Sequence, residues 1–207
     1  KMVQDMPILK FPKEDFAFLL SSDTVLSKRW NHMDEEENLF SLLGPAAGTW
    51  FRFISDTQLL YKTININDWK VVVIAKAHIL DARLAPIFKD YLQKGGTLIC
   101  LDPEIYTYGP DATNLEFLAK DLFGAEKVAI NSSANLRLKL TNHPVWNGFS
   151  KKVSPAILGS AKYKLIPAKG TQVLANFSDG TTAITMKMYP NNGKAILVSI
   201  PALRAFA

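Results

Sequence analysis

Three kinds of residue in this sequence have the chemistry to act on a ligand: one cysteine, three histidines, and a set of acids placed where strands are expected to end. Cys100 lies in Thr97-Leu-Ile-Cys-Leu-Asp102, between Ile99 and Leu101. A cysteine nucleophile on an α/β sheet needs a glycine-flanked elbow that exposes its sulfur, with a histidine and an acid downstream. No Gly-x-Cys-x-Gly is present, Asp102-Pro103 follows the strand, and His143 precedes Pro144-Val145 rather than an acid. Cys100 therefore reads as a small core residue, and no Gly-x-Ser-x-Gly elbow offers a serine instead. His32, His78 and His143 stand far apart, without HxxxH, HExxH or CxxC spacing, so no metal site is expected. A phosphate cradle needs closely spaced glycines after the first strand, and Ser21-Ser-Asp-Thr-Val-Leu26 has none. No cofactor and no catalytic residue are assigned.

What remains is a polar crevice at the carboxyl ends of the strands, where open α/β sheets bind ligands. Its members are Ser22 and Asp23, Asp56, Lys76 and His78, and Asp102 with Glu104. Asp and Ser are equally favoured there as helix caps and turn formers, which is the competing reading. The turn Pro103–Pro110 adds Tyr106 and Tyr108 beside Glu104. Aromatic rings next to a carboxylate suit a sugar contact, and they also suit packing over the sheet end or against another domain.

The elements that position these residues alternate. Phe16–Ser22 is apolar on both faces, as in a strand buried within a parallel sheet. Met33–Leu43 carries acids in its first turn and stops at Gly44-Pro45, a helix pattern. Trp50–Ile54 reads as a strand, followed by the turn Ser55–Thr57 and a weak helical turn at Gln58–Leu60. Lys70–Ala75 is a β-branched strand. Asp81–Lys94 has apolar residues at 84, 87, 88, 91 and 92, one helix face ended by Gly95-Gly96, with Pro86 drawing the start of the helix towards itself. Thr97–Asp102 is a buried strand, and Thr113–Phe123 is a helix closed by Gly124.

This order predicts an α/β fold: a three-layer, flavodoxin-like sheet, mostly parallel. Beyond residue 124 strands dominate: Leu136–Leu140, Tyr163–Ile166, Gln172–Phe177, Thr181–Met188 and Ala195–Ile200. The turn signals Asn142-His-Pro144, Ser178-Asp-Gly180 and Asn191-Asn-Gly193 separate them, which predicts hairpins added to the sheet edge. The chain 1–207 is thus one domain, with a lead-in over 1–14, an alternating core over 15–124 and an antiparallel, strand-rich extension over 125–207.

Composition agrees with a chain that folds around its own core. Of 207 residues, 48% are hydrophobic and 21% charged, which excludes disorder and a small disulfide scaffold. A net charge of +5 without a basic run longer than a pair leaves no nucleic-acid footprint. No apolar run reaches the length of a membrane span. The chain starts at Lys1 and stops soon after an apolar strand, so it reads as a piece of a longer protein. Asn131-Ser-Ser133 and Asn176-Phe-Ser178 match the glycosylation sequon, which has meaning only on a eukaryotic secretory route. The compartment is left open, with secretion or the periplasm the favoured side.

The segments Phe16–Ser22, Asp56-Thr-Gln-Leu-Leu60, Trp69-Lys-Val-Val-Val-Ile74, Tyr91-Leu-Gln-Lys-Gly-Gly-Thr-Leu-Ile99 and Asn114–Gly124 together resemble the β-galactosidase trimerisation domain. His143–Gly148, Gly170–Ala175, Thr182–Ile184 and Asn192–Val198 echo the closing strands of that family and of ThuA-like proteins. The resemblance implies a class I glutamine amidotransferase-like fold without its catalytic triad, and a noncatalytic assembly role beside a glycosidase barrel. Partners are then other domains of the same polypeptide and further copies of it, with carbohydrate carried as a ligand class. Two alternatives stand beside it. One is a ThuA-like or amidotransferase-like enzyme with an atypical site drawn from Asp23, Asp56, His78, Asp102 and Glu104; the other is a sugar-binding or scaffold domain of a cell-envelope protein.

Overall fold

A computed structural model describes residues 13–14, 16–27, 40–41, 43–44, 48–130, 136–147 and 162–200. Strands β1 (Phe16–Leu20), β2 (Phe51–Ser55), β3 (Val71–Ile74) and β4 (Thr97–Cys100) alternate with helices α1 (Ser22–Ser27), α2 (Asp56–Leu60) and α3 (Leu84–Gln93). Helix α4 (Glu116–Phe123) follows. Then come β5 (Ala125–Ala129), β6 (Leu138–Leu140), β7 (Tyr163–Pro167), β8 (Gln172–Phe177), β9 (Thr182–Met188) and β10 (Lys194–Val198). All ten join one sheet in the order β2-β1-β3-β4-β10-β9-β7-β5, with β8 on β9 and β6 on β8.

The expectation of a mostly parallel sheet holds for one half. β2, β1, β3, β4 and β10 run parallel, and every pairing beyond β10 is antiparallel. The strand-rich region is also more than an edge addition, because β10 lies inside the sheet, between β4 and β9. β5, which the sequence reading leaves unassigned, forms the far edge by pairing with β7, Ala125 opposite Pro167 through Ala129 opposite Tyr163. The predicted helix over 33–43 and the lead-in over 1–14 lie mostly outside the described residues, and the Asn131 sequon lies wholly outside them.

Side chains alternate along the strands with period two, which separates two apolar faces. Ala17, Leu19, Val72, Ile74, Leu98, Cys100, Ala195 and Leu197 pack on one face against α2, α3 and the helix that follows β4, with Leu59, Phe88 and Phe123 among their partners. Phe18, Val73 and Ala75 form the opposite cluster with Phe51, Ile99 and Leu43. A third cluster, built on Leu174, Phe177, Ile184 and Met186, serves the antiparallel half.

Local chemistry explains the helix ends. α2 starts in a full capping box: Ser55 Oγ accepts from Gln58 N at 3.2 Å while Gln58 Oε1 accepts from Ser55 N at 2.9 Å. This makes a helix of what the sequence offers as a weak turn. Pro86 is the third residue of α3, where its missing N–H leaves no intrahelical bond unmade. The β9–β10 turn is seated on the far end of α3. There Asn191 Nδ2 donates to Gln93 O at 2.9 Å, and a Cβ on Gly193 would fall 1.8 Å from Leu92 O.

Candidate strand-end site

The chain steps from β1 outward to β2 and then back across to β3, so the strand order reverses between the carboxyl ends of β1 and β3. In sheets of this order that reversal opens the ligand crevice. Here it is stitched across. Ser21 Oγ donates to Ile79 O at 2.6 Å, and Thr24 Oγ1 lies 3.0 Å from both Ile79 N and Ile79 O. Ser21 and Thr24 are buried, so these bonds fill the space between the two strand ends.

The carboxylates beside it are engaged in the same way. Asp56 is 3% exposed and accepts from Ser22 N at 2.9 Å, Ser22 Oγ at 2.6 Å and Thr57 N at 2.7 Å, tying β2 to the β1–α1 junction. Asp102 is 7% exposed, and its two oxygens accept from Ala77 N at 3.0 Å and Glu104 N at 2.9 Å. Burial raises the Asp102 carboxyl above its ordinary range, and the two N–H donors only partly offset it. Asp23 is also raised, first by partial burial and then by the neighbouring carboxylates of Asp56 and Asp81. Ser27 Oγ donates to Thr24 O at 2.9 Å and stands 3.3 Å from His78 Nε2.

The expected residues therefore fall into two groups. Asp23 is part of α1, and Asp56 and His78 meet that helix at Ser22 and Ser27, whereas Asp102 and Glu104 close the end of β4. Glu104 Oε1 accepts from Tyr163 OH at 2.8 Å, and burial together with that bond pushes the Tyr163 hydroxyl up to about 12. Lys127 sits 5.7 Å from the centre of the Tyr163 ring, pairs with Glu116 at 2.9 Å and also bonds the Thr107 hydroxyl. Tyr163 and Lys127 were not legible as site residues, because Tyr163 meets Glu104 from 59 positions away.

Tyr106 is fully buried and Tyr108 is 47% exposed, so only the second presents its ring to a ligand or partner. The Tyr106 backbone has φ 57°, which turns its side chain into the helix-side core. Cys100 is buried, its Sγ donates to Asp102 O at 3.2 Å, and burial pushes the thiol well above its usual range. Among the described residues no group of three His, Cys, Asp or Glu side chains is placed to hold a metal ion. Among the same residues no helix is long and apolar enough to cross a membrane. A cavity of about 1030 Å³ lies at the other end of β3, lined by Trp69, Ile66, Ile87 and Arg52.

No family model matches the chain, and no curated relative does. Solved structures share the fold. The polyextremophilic β-galactosidase of the Antarctic haloarchaeon Halorubrum lacusprofundi matches with a TM-score of 0.71 at 12% identity, over 95% of this chain and 29% of its own. A β-galactosidase of Bacillus circulans sp. alkalophilus gives 0.66 at 14%, over 91% and 29%. The exo-β-1,4-mannosidase Op5Man5 of an Opitutaceae bacterium gives 0.62 at 12%, over 94% and 32%. The chain thus has the fold of one segment of these glycosidases and spans about three tenths of their length.

Proposed function

We propose that this chain is a noncatalytic module of a carbohydrate-active enzyme, a glycoside hydrolase of the β-galactosidase kind, serving assembly and the interface with its other domains. The observation that carries the reading is the state of the strand-end crevice. Its switch point is bridged by Ser21, Thr24 and Ile79, and Asp56 and Asp102 are each held by backbone N–H groups. A glycosidase needs two carboxyl groups facing one bond, one of them free to give a proton. The crevice carboxylates instead hold strands to loops. The shared fold with a segment of two β-galactosidases and a mannosidase supports the same reading, as does the absence of the amidotransferase elbow around Cys100.

The deciding experiment compares the full-length gene product with the same protein lacking residues 15–200. Light scattering should show a larger assembly only when the module is present, and the isolated 207-residue chain should not hydrolyse aryl glycosides or amides. Hydrolysis by the isolated chain that disappears in Asp56→Asn or Asp102→Asn would instead establish an atypical enzyme.

A further inference from the structure

Helix α4 carries an aromatic ring on its solvent side. Phe117, Lys120, Asp121 and the capping Gly124 recur at i, i+3, i+4 and i+7, one face of the helix, while Ala119, Leu122 and Phe123 fill the core. Phe117 is 63% exposed, so core packing does not account for it.

Two depressions share this ring and Lys120. One, of about 330 Å³, lies past the carboxyl end of β4, with Pro103, Ile105, Ala119, Ala125 and Leu197 as an apolar floor. Its walls are two ion pairs, Glu116 with Lys127 and Glu126 with Lys120. The other, of about 500 Å³, is bordered by Asp121, Lys169, Thr171 and Lys187. Lys187 is held over the Tyr189 ring, 5.0 Å from its centre, and bonds Asp121 O.

The geometry points to an oligosaccharide-binding site along α4, with neutral sugar rings in the two depressions and Phe117 between them. Each sugar hydroxyl both donates and accepts, so a vicinal diol matches a lysine and a carboxylate set side by side. The apolar floor and the exposed phenyl ring suit the C–H face of a pyranose, and depressions of this size are within the range of small-ligand sites. A simple anion fits less well, because all four wall charges are paired and two of them are carboxylates. The inference rests on the proposed place of this chain in a carbohydrate-active enzyme, and it adds a substrate-holding role to the assembly role.

The test is NMR titration of the 207-residue chain with galactobiose, mannobiose and, separately, inorganic phosphate, alongside affinity electrophoresis in soluble galactan and mannan. A neutral disaccharide should give saturable shifts confined to residues 103–127 and 168–188. Phe117→Ala and Lys120→Met should each weaken binding at least about tenfold without changing thermal stability. Absence of shifts with both sugars, shifts with phosphate alone, or unchanged affinity in Phe117→Ala would each overturn the site. Light scattering of the full-length protein separates the two readings. Failed sugar binding with assembly intact removes this site only, whereas sugar binding by a protein whose assembly ignores the module removes the assembly role.

Discussion

Replacing Asp56 by alanine separates a carboxylate that holds structure from one that does chemistry. The side chain is 3% exposed and takes three hydrogen bonds, from Ser22 N, Ser22 Oγ and Thr57 N. In Asp56→Ala the Ser22 hydroxyl turns to another partner or to water, but the two backbone N–H groups lose a charged acceptor at a half-buried junction. Bonds to a charged group are each worth about 1.5–3 kcal/mol, so the loss should be about 3 kcal/mol after water reaches the more open donor. For a chain of this length that lowers the melting temperature by roughly 6–12 °C. Asp56→Asn should recover about half of it, since one amide oxygen still accepts. Urea unfolding followed by tryptophan fluorescence, with calorimetry beside it, measures both. Asp23→Asn is the control: its carboxyl is already raised by burial and by Asp56 and Asp81, so neutralising it should leave stability unchanged or higher. A loss below about 0.5 kcal/mol in Asp56→Ala, the level of an ordinary surface change, would refute the structural assignment and return Asp56 to the pool of reactive groups.

Three other outcomes follow from the geometry. Asp102 binds its proton more tightly folded than unfolded, so its contribution falls as pH rises from the ordinary 3.8 towards the raised folded value. In Asp102→Asn that decline should vanish, so the stability of the variant relative to the parent should climb over the same interval in pH-dependent urea titrations; parallel profiles would contradict it. Gly193→Ala places a Cβ against Leu92 O and should cost about 3 kcal/mol or block folding, whereas Gly180→Ala, in open space at φ 88°, should cost about 1 kcal/mol, both read by denaturation. The buried Cys100 thiol should resist Ellman's reagent in the native chain and react at once in denaturant; rapid native labelling would mean that the β4 end opens.

Strands that carry their own pattern were legible from the sequence. The pattern of Gln172–Phe177 marks that strand to the residue, and the β-branched run at 71–74 and the helix around Pro86 lie where their spacing puts them. Ala125–Ala129 was not legible, because Ala-Glu-Lys-Val-Ala has little strand character and becomes a strand through its pairing with β7. Ser22–Ser27 carries no helix pattern of its own for a related reason: its first residue is anchored by Asp56, 34 positions on. The same distance problem governs the site. The sequence marks Asp56, Asp102 and Glu104 as strand-end acids, but their partners come from a helix (Ser22), a loop (Ala77) and a strand (Tyr163) distant in sequence, and those partners turn a row of candidates into fasteners.

The position of β10 has a consequence for how this domain is made. β4 is synthesised roughly a hundred residues before the strand that will lie beside it, and until then its outer edge and the β9 edge have no partner. At ribosomal rates of about 5–20 residues per second that edge waits for roughly 5–20 s, longer than most domains of this size need to fold. The nascent parallel half is therefore the stage at which chaperones have most to gain by binding. An internal deletion removing 194–198 should leave two incomplete half-sheets with sticky edges rather than a smaller version of the same fold.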